Sequence, residues 1–138
     1  MPSSTTPWWA SLESTIFTIV KTRLTKTLGN TFPKLYCTMS PVTQSAAQFP
    51  TVYIHSADWI EAGNDLRNDD IHAVLLTMQI DIVANSTLTD AKKVTNECIN
   101  IMKSLRFNVL SMPVYSSTEN LYTGVLRFRR YIGQGEGF

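Results

Sequence analysis

The sequence predicts an α+β fold: a two-layer sandwich in which a mainly antiparallel β-sheet carries two helices packed on one face. Three observations lead there. Ile71–Ala84 alternates apolar and mixed residues with period two, the signature of a half-buried strand. Ser11–Leu28 and Asp90–Leu105 carry apolar residues at helical spacing. Strand-like runs follow one another between and after these helices instead of alternating with them, the order expected when helices are segregated to one side of an antiparallel sheet.

In the first helix Leu12, Ile16, Ile19, Val20 and Leu24 form the apolar side, opposite Ser14, Thr18, Lys21, Thr25 and Lys26. Gly29-Asn30 supplies a stop signal, and Pro33 prevents resumption. Leu35–Met39 reads as a short strand, and the stretch from Ser40-Pro41 to Gln48-Phe49-Pro50 as a polar loop. Thr51–His55 is β-branched and aromatic, hence a second strand. Ser56–Asp70 carries many charges and Gly63-Asn64-Asp65 without either period, and reads as a long loop.

Ile71–Ala84 follows, with Val74, Leu76, Met78, Ile80 and Ile82 on the core face. After the turn Asn85-Ser86-Thr87, Thr87 or Thr89 is placed to cap the next helix by accepting a bond from an unpaired backbone N–H. That helix has Ala91, Val94, Cys98, Ile101, Met102 and Leu105 as its apolar stripe, and Lys92, Lys93, Asn96, Glu97, Asn100 and Lys103 on the wet side. Val109–Tyr115 and Leu121–Ile132 read as a hairpin across Ser116–Asn120. The expected organisation is a flexible segment 1–8, one domain over 9–133, and a flexible glycine-rich tail 134–138.

A chain of 138 residues can bury roughly two-thirds of its unfolded surface without staples. Its charged fraction of 17% is below the usual quarter or so, which suggests that partners cover part of the surface. A net charge of +1 gives no general drive toward nucleic acid or an anionic membrane. Cys37 and Cys98 show no metal spacing and read as small buried hydrophobes. No apolar run spans a bilayer, and Met1–Pro7 lacks the basic start and apolar core of a signal peptide. A cytoplasmic protein is expected, in which the Asn85-Ser86-Thr87 triplet is not a glycosylation site.

The constellations that could carry chemistry are few. Gly133-Gln134-Gly135-Glu136-Gly137 superficially resembles a phosphate-cradling loop, but such a loop opens a helix and this one does not. His55 and His72 flank an acidic stretch with Asp58, Glu61, Asp65, Asp69 and Asp70, without the spacing of a metal site or hydrolytic dyad. There is no Gly-x-Ser-x-Gly elbow, and neither cysteine has a histidine neighbour. No catalytic, cofactor-binding or metal-binding residue is therefore assigned, and no enzymatic activity is expected.

The outward face of the last strand is more informative. Thr123, Val125, Arg127, Arg129 and Tyr131 should lie beside Thr77, Gln79 and Asp81 of the central strand, with Asp81 near Arg127 or Arg129. A subunit interface, a basic lining toward nucleic acid and an ordinary solvated face would all suit this set. The interface candidates are Thr77, Gln79, Asp81, Val125, Arg127, Arg129 and Tyr131.

The run Met78-Gln79-Ile80-Asp81-Ile82-Val83-Ala84-Asn85, the helix from Ala91-Lys92-Lys93 to Met102, then Leu105-Arg106-Phe107 and the closing Tyr122–Tyr131 resemble the tail-terminator (tail-completion) proteins of long-tailed bacteriophages. In that pattern a strand ends near Asp-x-Tyr/Ala-Asn, a helix carries Ala-Lys-Lys or similar, a Leu-Gly-Phe-like hinge follows, and the last strand closes on Arg-Tyr. Phe49-Pro50-Thr51-Val52 resembles the Phe-Pro-x-Val entry to an early strand. The resemblance spans about residues 9–133 in order and length, through diffuse motifs. Arg106 stands where the hinge has glycine, and Trp8-Trp9 and the loop after Asp58 have no counterpart.

The resemblance implies a virion protein of the tail neck that forms a homo-oligomeric ring, commonly a hexamer, on the end of the tail tube. There it stops tube polymerisation and offers the head-joining surface, with the tail tube protein and a head-completion or connector protein as partners and passing contact with DNA in the lumen. It implies no membrane and no cofactor. The alternatives are another neck component, such as a head-closure or head-tail adaptor protein, and a small metal-dependent hydrolase using His55, His72 and the acidic loop.

Overall fold

Each helix buries a single stripe, and both stripes need the same apolar sheet face to cover them. A computed structural model describes residues 7–39, 49–62, 72–118, 121–136 and 138. Its elements are α1 (Leu12–Leu28), β1 (Tyr36–Thr38), β2 (Thr51–Ala62), β3 (Ala73–Ala84), α2 (Leu88–Ser104), β4 (Asn108–Ser111), β5 (Ser116–Thr118) and β6 (Leu121–Gly133). The strands form one sheet in the order β1-β2-β3-β6-β4, with β5 also on β6. Only the β1/β2 pair is parallel. This is the expected two-layer α+β sandwich.

In α1 the buried residues Leu12, Ile16, Val20 and Leu24 recur every fourth position, and Glu13, on the same side one turn before Ile16, reaches β2 by accepting the Ser56 N–H at 2.7 Å. In α2 the stripe is Ala91, Val94, Thr95, Cys98, Ile101 and Met102. Thr87 caps α2 as its sequence position predicts, accepting the Asp90 N–H at 3.1 Å. Both stripes join Val74, Leu76, Met78, Ile80 and Ile82 of β3 and Leu126, Phe128 and Ile132 of β6 in one core. Truncating a side chain such as Leu76, fully buried here, typically costs about 2–5 kcal/mol.

The long loop expected over Ser56–Asp70 is corrected by the structure: β2 continues to Ala62, paired with β3 throughout. The reason is a bulge between Ser56 and Asp58. An extra residue there reverses the alternation, so Val52 and Ile54 face the core before it and Trp59 after it. No single period spans the strand, which hides it from pattern reading. Residues 63–70 of the expected loop, with Asp65, Asp69 and Asp70, lie outside the described residues, as do Ile71 of the expected strand and 40–48.

The expected strand Val109–Tyr115 is likewise two pieces. Pro113 has no N–H to give to a ladder, and pairing lapses from Met112 to Tyr115 before resuming in β5, where a turn was expected. Tyr115 instead folds over β6: its hydroxyl donates to Thr95 Oγ1 at 2.7 Å, and its ring covers Gly124 so closely that a Cβ there would lie 2.8 Å from Cε1.

The basic-aromatic hinge after α2 is a Schellman turn. Phe107 N–H bonds the Met102 carbonyl at 3.0 Å, Arg106 N–H bonds that of Lys103 at 2.9 Å, and Arg106 takes the left-handed conformation, φ 67°. Arg106 thus adopts the backbone geometry that glycine holds without strain.

At the N-terminus Trp8 and Trp9 anchor the chain, both packing against the core with Trp9 5.8 Å from Trp59 between ring centroids, so Trp8 belongs with the domain and not with the segment 1–8. The tail expected to be free folds back instead. Arg130, only 6% exposed on the helix side of β6, donates from Nη1 to the Leu105 carbonyl at 3.1 Å and from Nη2 to Glu136 at 3.1 Å. The Phe138 ring lies 5.0 Å from its guanidinium, and Gln134 N–H bonds the His72 carbonyl at 2.9 Å. Gly135 makes the return possible at φ +87°. A buried guanidinium needs an anion and full hydrogen bonding, and the tail supplies the anion.

Gly124→Ala should push the Tyr115 ring off β6 and weaken its bond to Thr95, destabilising the fold by about 1–3 kcal/mol in a denaturant titration; an unchanged midpoint would refute the close approach. The Glu136 carboxyl is held below its ordinary range, first by the Gly133 N–H and then by the charges of Arg130 and Arg106. A depressed carboxylate stabilises fully above its unfolded pKa of about 4.3 and loses that contribution as pH falls through the folded value. Glu136→Gln should therefore flatten the acid limb of a Tm-versus-pH curve while leaving its shape above neutrality unchanged.

Candidate functional site

With both helices on one side, no described element covers the opposite face of the sheet. Antiparallel partners point to the same side, so the register defines who stands there. Across β2, β3 and β6 the face reads in rows: Tyr53, Asp81 and Val125; His55, Gln79 and Arg127; Asp58, Thr77 and Arg129; Ile60, Leu75 and Tyr131. Asn108 and Ser111 of β4 continue the Arg129 and Arg127 rows. All of Thr77, Gln79, Asp81, Val125, Arg127, Arg129 and Tyr131 thus occupy one surface. The β2 residues Tyr53, His55, Asp58 and Ile60 join them, unseen in the sequence because the bulge concealed that strand.

A polar chain crosses the centre. Arg127 Nε donates to Gln79 Oε1 at 3.1 Å, and Gln79 Nε2 donates to Asp81 Oδ1 at 2.9 Å. Asp81 is therefore connected to Arg127 through Gln79, whose amide offers one acceptor and one donor where a direct pair is out of reach. Asp81 Oδ2 stands 3.8 Å from His55 Nε2, too far for a hydrogen bond. The His55 ring stacks on Tyr53 with centroids 4.1 Å apart, and its Nδ1 lies 3.3 Å from the Ser56 carbonyl. His55 Nε2 and Arg129 Nε are both buried without a hydrogen-bond partner.

Apolar residues border this centre. Leu75 and Thr77 are buried although no helix covers them, while Ile60 is 46% and Tyr131 66% exposed. The face is thus partly dry, carries two arginines and exposes apolar residues at one end.

The other candidates do not assemble. His72 precedes Ala73 at the start of β3, whereas His55 pairs at Gln79, so about seven residues, on the order of 23 Å, separate the two imidazoles. Among the described residues no three His, Cys, Asp or Glu side chains are grouped to hold a metal. Cys37 and Cys98 are buried free thiols; burial pushes Cys37 up to about 11 and Cys98 further, so neither is a nucleophile near neutral pH. A cleft of about 400 Å³ beside Phe32, Lys34 and Pro50 includes Ser86 and Asp90, but these bond each other at the α2 N-terminus. A second, of about 260 Å³ between the helices, is lined by Arg23, Lys26, Glu97 and Asn100 without a nucleophile and base in contact. The glycine string ends β6 and opens no helix. Among the described residues no helix is long and apolar enough to cross a membrane.

No protein-family model matches the chain, and no curated protein matches it either.

Proposed function

We propose that this chain is a structural virion subunit, a tail terminator that assembles as a homo-oligomeric ring, hexameric in the reading favoured here, on the end of a phage tail tube. The observation that carries the proposal is the sheet face that no described element covers, with Arg127, Arg129 and Tyr131 on one strand. The ordered resemblance from Phe49-Pro50 to Tyr131 supplies the biological setting. Such a molecule stops polymerisation by shape: it binds the last ring of the tube and presents a different surface upward, to a head-completion or connector protein. Ring closure by head-to-tail contact requires two different patches on each subunit.

Arginine and tyrosine dominate interface energetics because each buries a large, rigid surface and still satisfies polar groups at its edge. The arginines would serve either neighbouring subunits or DNA passing through the lumen. The runner-up, a head-closure or adaptor protein of the same neck, uses the same kind of surface and differs in binding filled heads before tails. The hydrolase reading draws no support from the described residues, in which His55 and His72 stand about seven residues apart along the sheet, on the order of 23 Å.

Purified protein incubated with tail tubes should cap their ends in electron micrographs, and tube length should stop increasing. Arg129→Glu should weaken capping by at least about tenfold, as expected for a charge in a desolvated contact, and added salt should weaken the wild type by screening the longer-range attraction between exposed charges. Capping that is insensitive to both would remove Arg129 from the assembly surface, and tubes never capped at any concentration would remove the terminator reading.

A further inference from the structure

The open face carries apolar residues that no described element covers, with Leu75 buried on it and Ile60, Val125 and Tyr131 exposed.

The face is also segregated by charge. Asp58 and His55 stand on β2, to one side of β3; Arg129 and Arg127 stand at the same two levels on β6, to the other side. A two-fold rotation about an axis along β3 exchanges the positions of β2 and β6 while preserving level.

We propose that the open faces of two copies of this chain pack against each other about such an axis. Arg129 then meets Asp58 of the second copy, and Arg127 stands opposite His55 of the second copy. At one end Tyr131 meets Ile60, and Leu75 meets its own counterpart on the axis. One operation thus places a carboxylate beside an arginine and apolar groups against apolar groups. The contact is isologous, each pair occurring twice.

Aligned sheets in a sandwich cross at about 30°, with inner faces roughly 10 Å apart. That rotation also resolves the one like-charge approach. Asp81 lies on the axis about 13 Å from Thr77, and a crossing of about 30° centred on Thr77 parts the two carboxylates laterally by about 7 Å.

The size of the face sets the strength. From the Leu75 row to the Val83 row is about 26 Å, and β2, β3, β6 and β4 together are about 19 Å wide, a footprint on the order of 500 Å² per copy. Both copies together bury roughly 1,000 Å², near the lower limit for a specific interface. The pair is therefore a reversible dimer with midpoint in the micromolar range. It goes beyond the ring, whose head-to-tail contacts do not require a two-fold pair, and describes the free protein before it meets a tube.

Sedimentation equilibrium of the full chain from about 1 to 200 μM tests the proposal directly, a range bracketing an interface of this size. The weight-average mass should rise toward twice 15.5 kDa. Asp58→Arg alone and Arg129→Asp alone should each move the midpoint at least about tenfold higher, because each places like charges opposite one another. Their combination should bring it back to within about threefold of the wild type, since the swap restores every intermolecular pair. A wild type that stays monomeric throughout, single variants that leave the midpoint unchanged, or a double variant as weak as either single overturns the pair. A higher ring indifferent to the swap also overturns it. Each of these outcomes leaves tube capping, measured separately, to decide the ring.

Discussion

One-sided burial of the central strand is the constraint on which the rest of the molecule depends. β3 pairs along its whole length with β2 and β6, and its alternation commits Val74, Leu76, Met78, Ile80 and Ile82 to one side. Once those side chains have a face, both helices must share it, because each has a single apolar stripe to bury. As a consequence, no described element covers the opposite face. Its chemistry is then free to differ from a core, and it does, with arginines, carboxylates, a glutamine and a histidine among tyrosines and aliphatic residues.

The end of the core nearest the C-terminus is organised differently. Arg130 sits on the core side of β6 where an apolar residue would be expected, and burying its charge requires compensation that hydrophobic packing cannot give. The Leu105 carbonyl at the close of α2 and the Glu136 carboxylate provide it, with Phe138 over the guanidinium. A single buried cation thereby ties the second helix, the last strand and the tail together. The neighbouring Schellman turn at Arg106 fixes the path by which the chain leaves the helix for β4.

What the molecule offers to others follows from these two arrangements. The hydroxyl–carboxylate contact of Ser86 with Asp90 lies at the α2 N-terminus, away from the open face, and among the described residues no three His, Cys, Asp or Glu side chains are grouped to hold a metal. Association needs a desolvated centre, charged groups that a partner can match and a rim that can stay wet. The open face has each of these within a few rows of one sheet, which is why the functional reading centres on assembly.

Much of this was legible in the residues alone, and the limits have physical causes. The two helices, the core side of β3, the Thr87 cap and the shared outward side of Gln79, Asp81, Arg127 and Arg129 follow from periodicity and local hydrogen-bonding chemistry, which act over a few residues. The second half of β2 was not legible, because the bulge after Ser56 reverses the alternation that pattern reading depends on. β5 was not, because Ser116-Ser117-Thr118 looks like a turn until Thr123 and Tyr122 are set beside it. The tail was not, because its order comes from Arg130 and from the His72 carbonyl, both distant or hidden in the sequence. Local propensity and alternation determined which residues form elements and which way they face. Only the tertiary structure decided that Asp58 and His55 stand level with Arg129 and Arg127 across β3, since register between strands is set by long-range pairing that no short window of sequence contains.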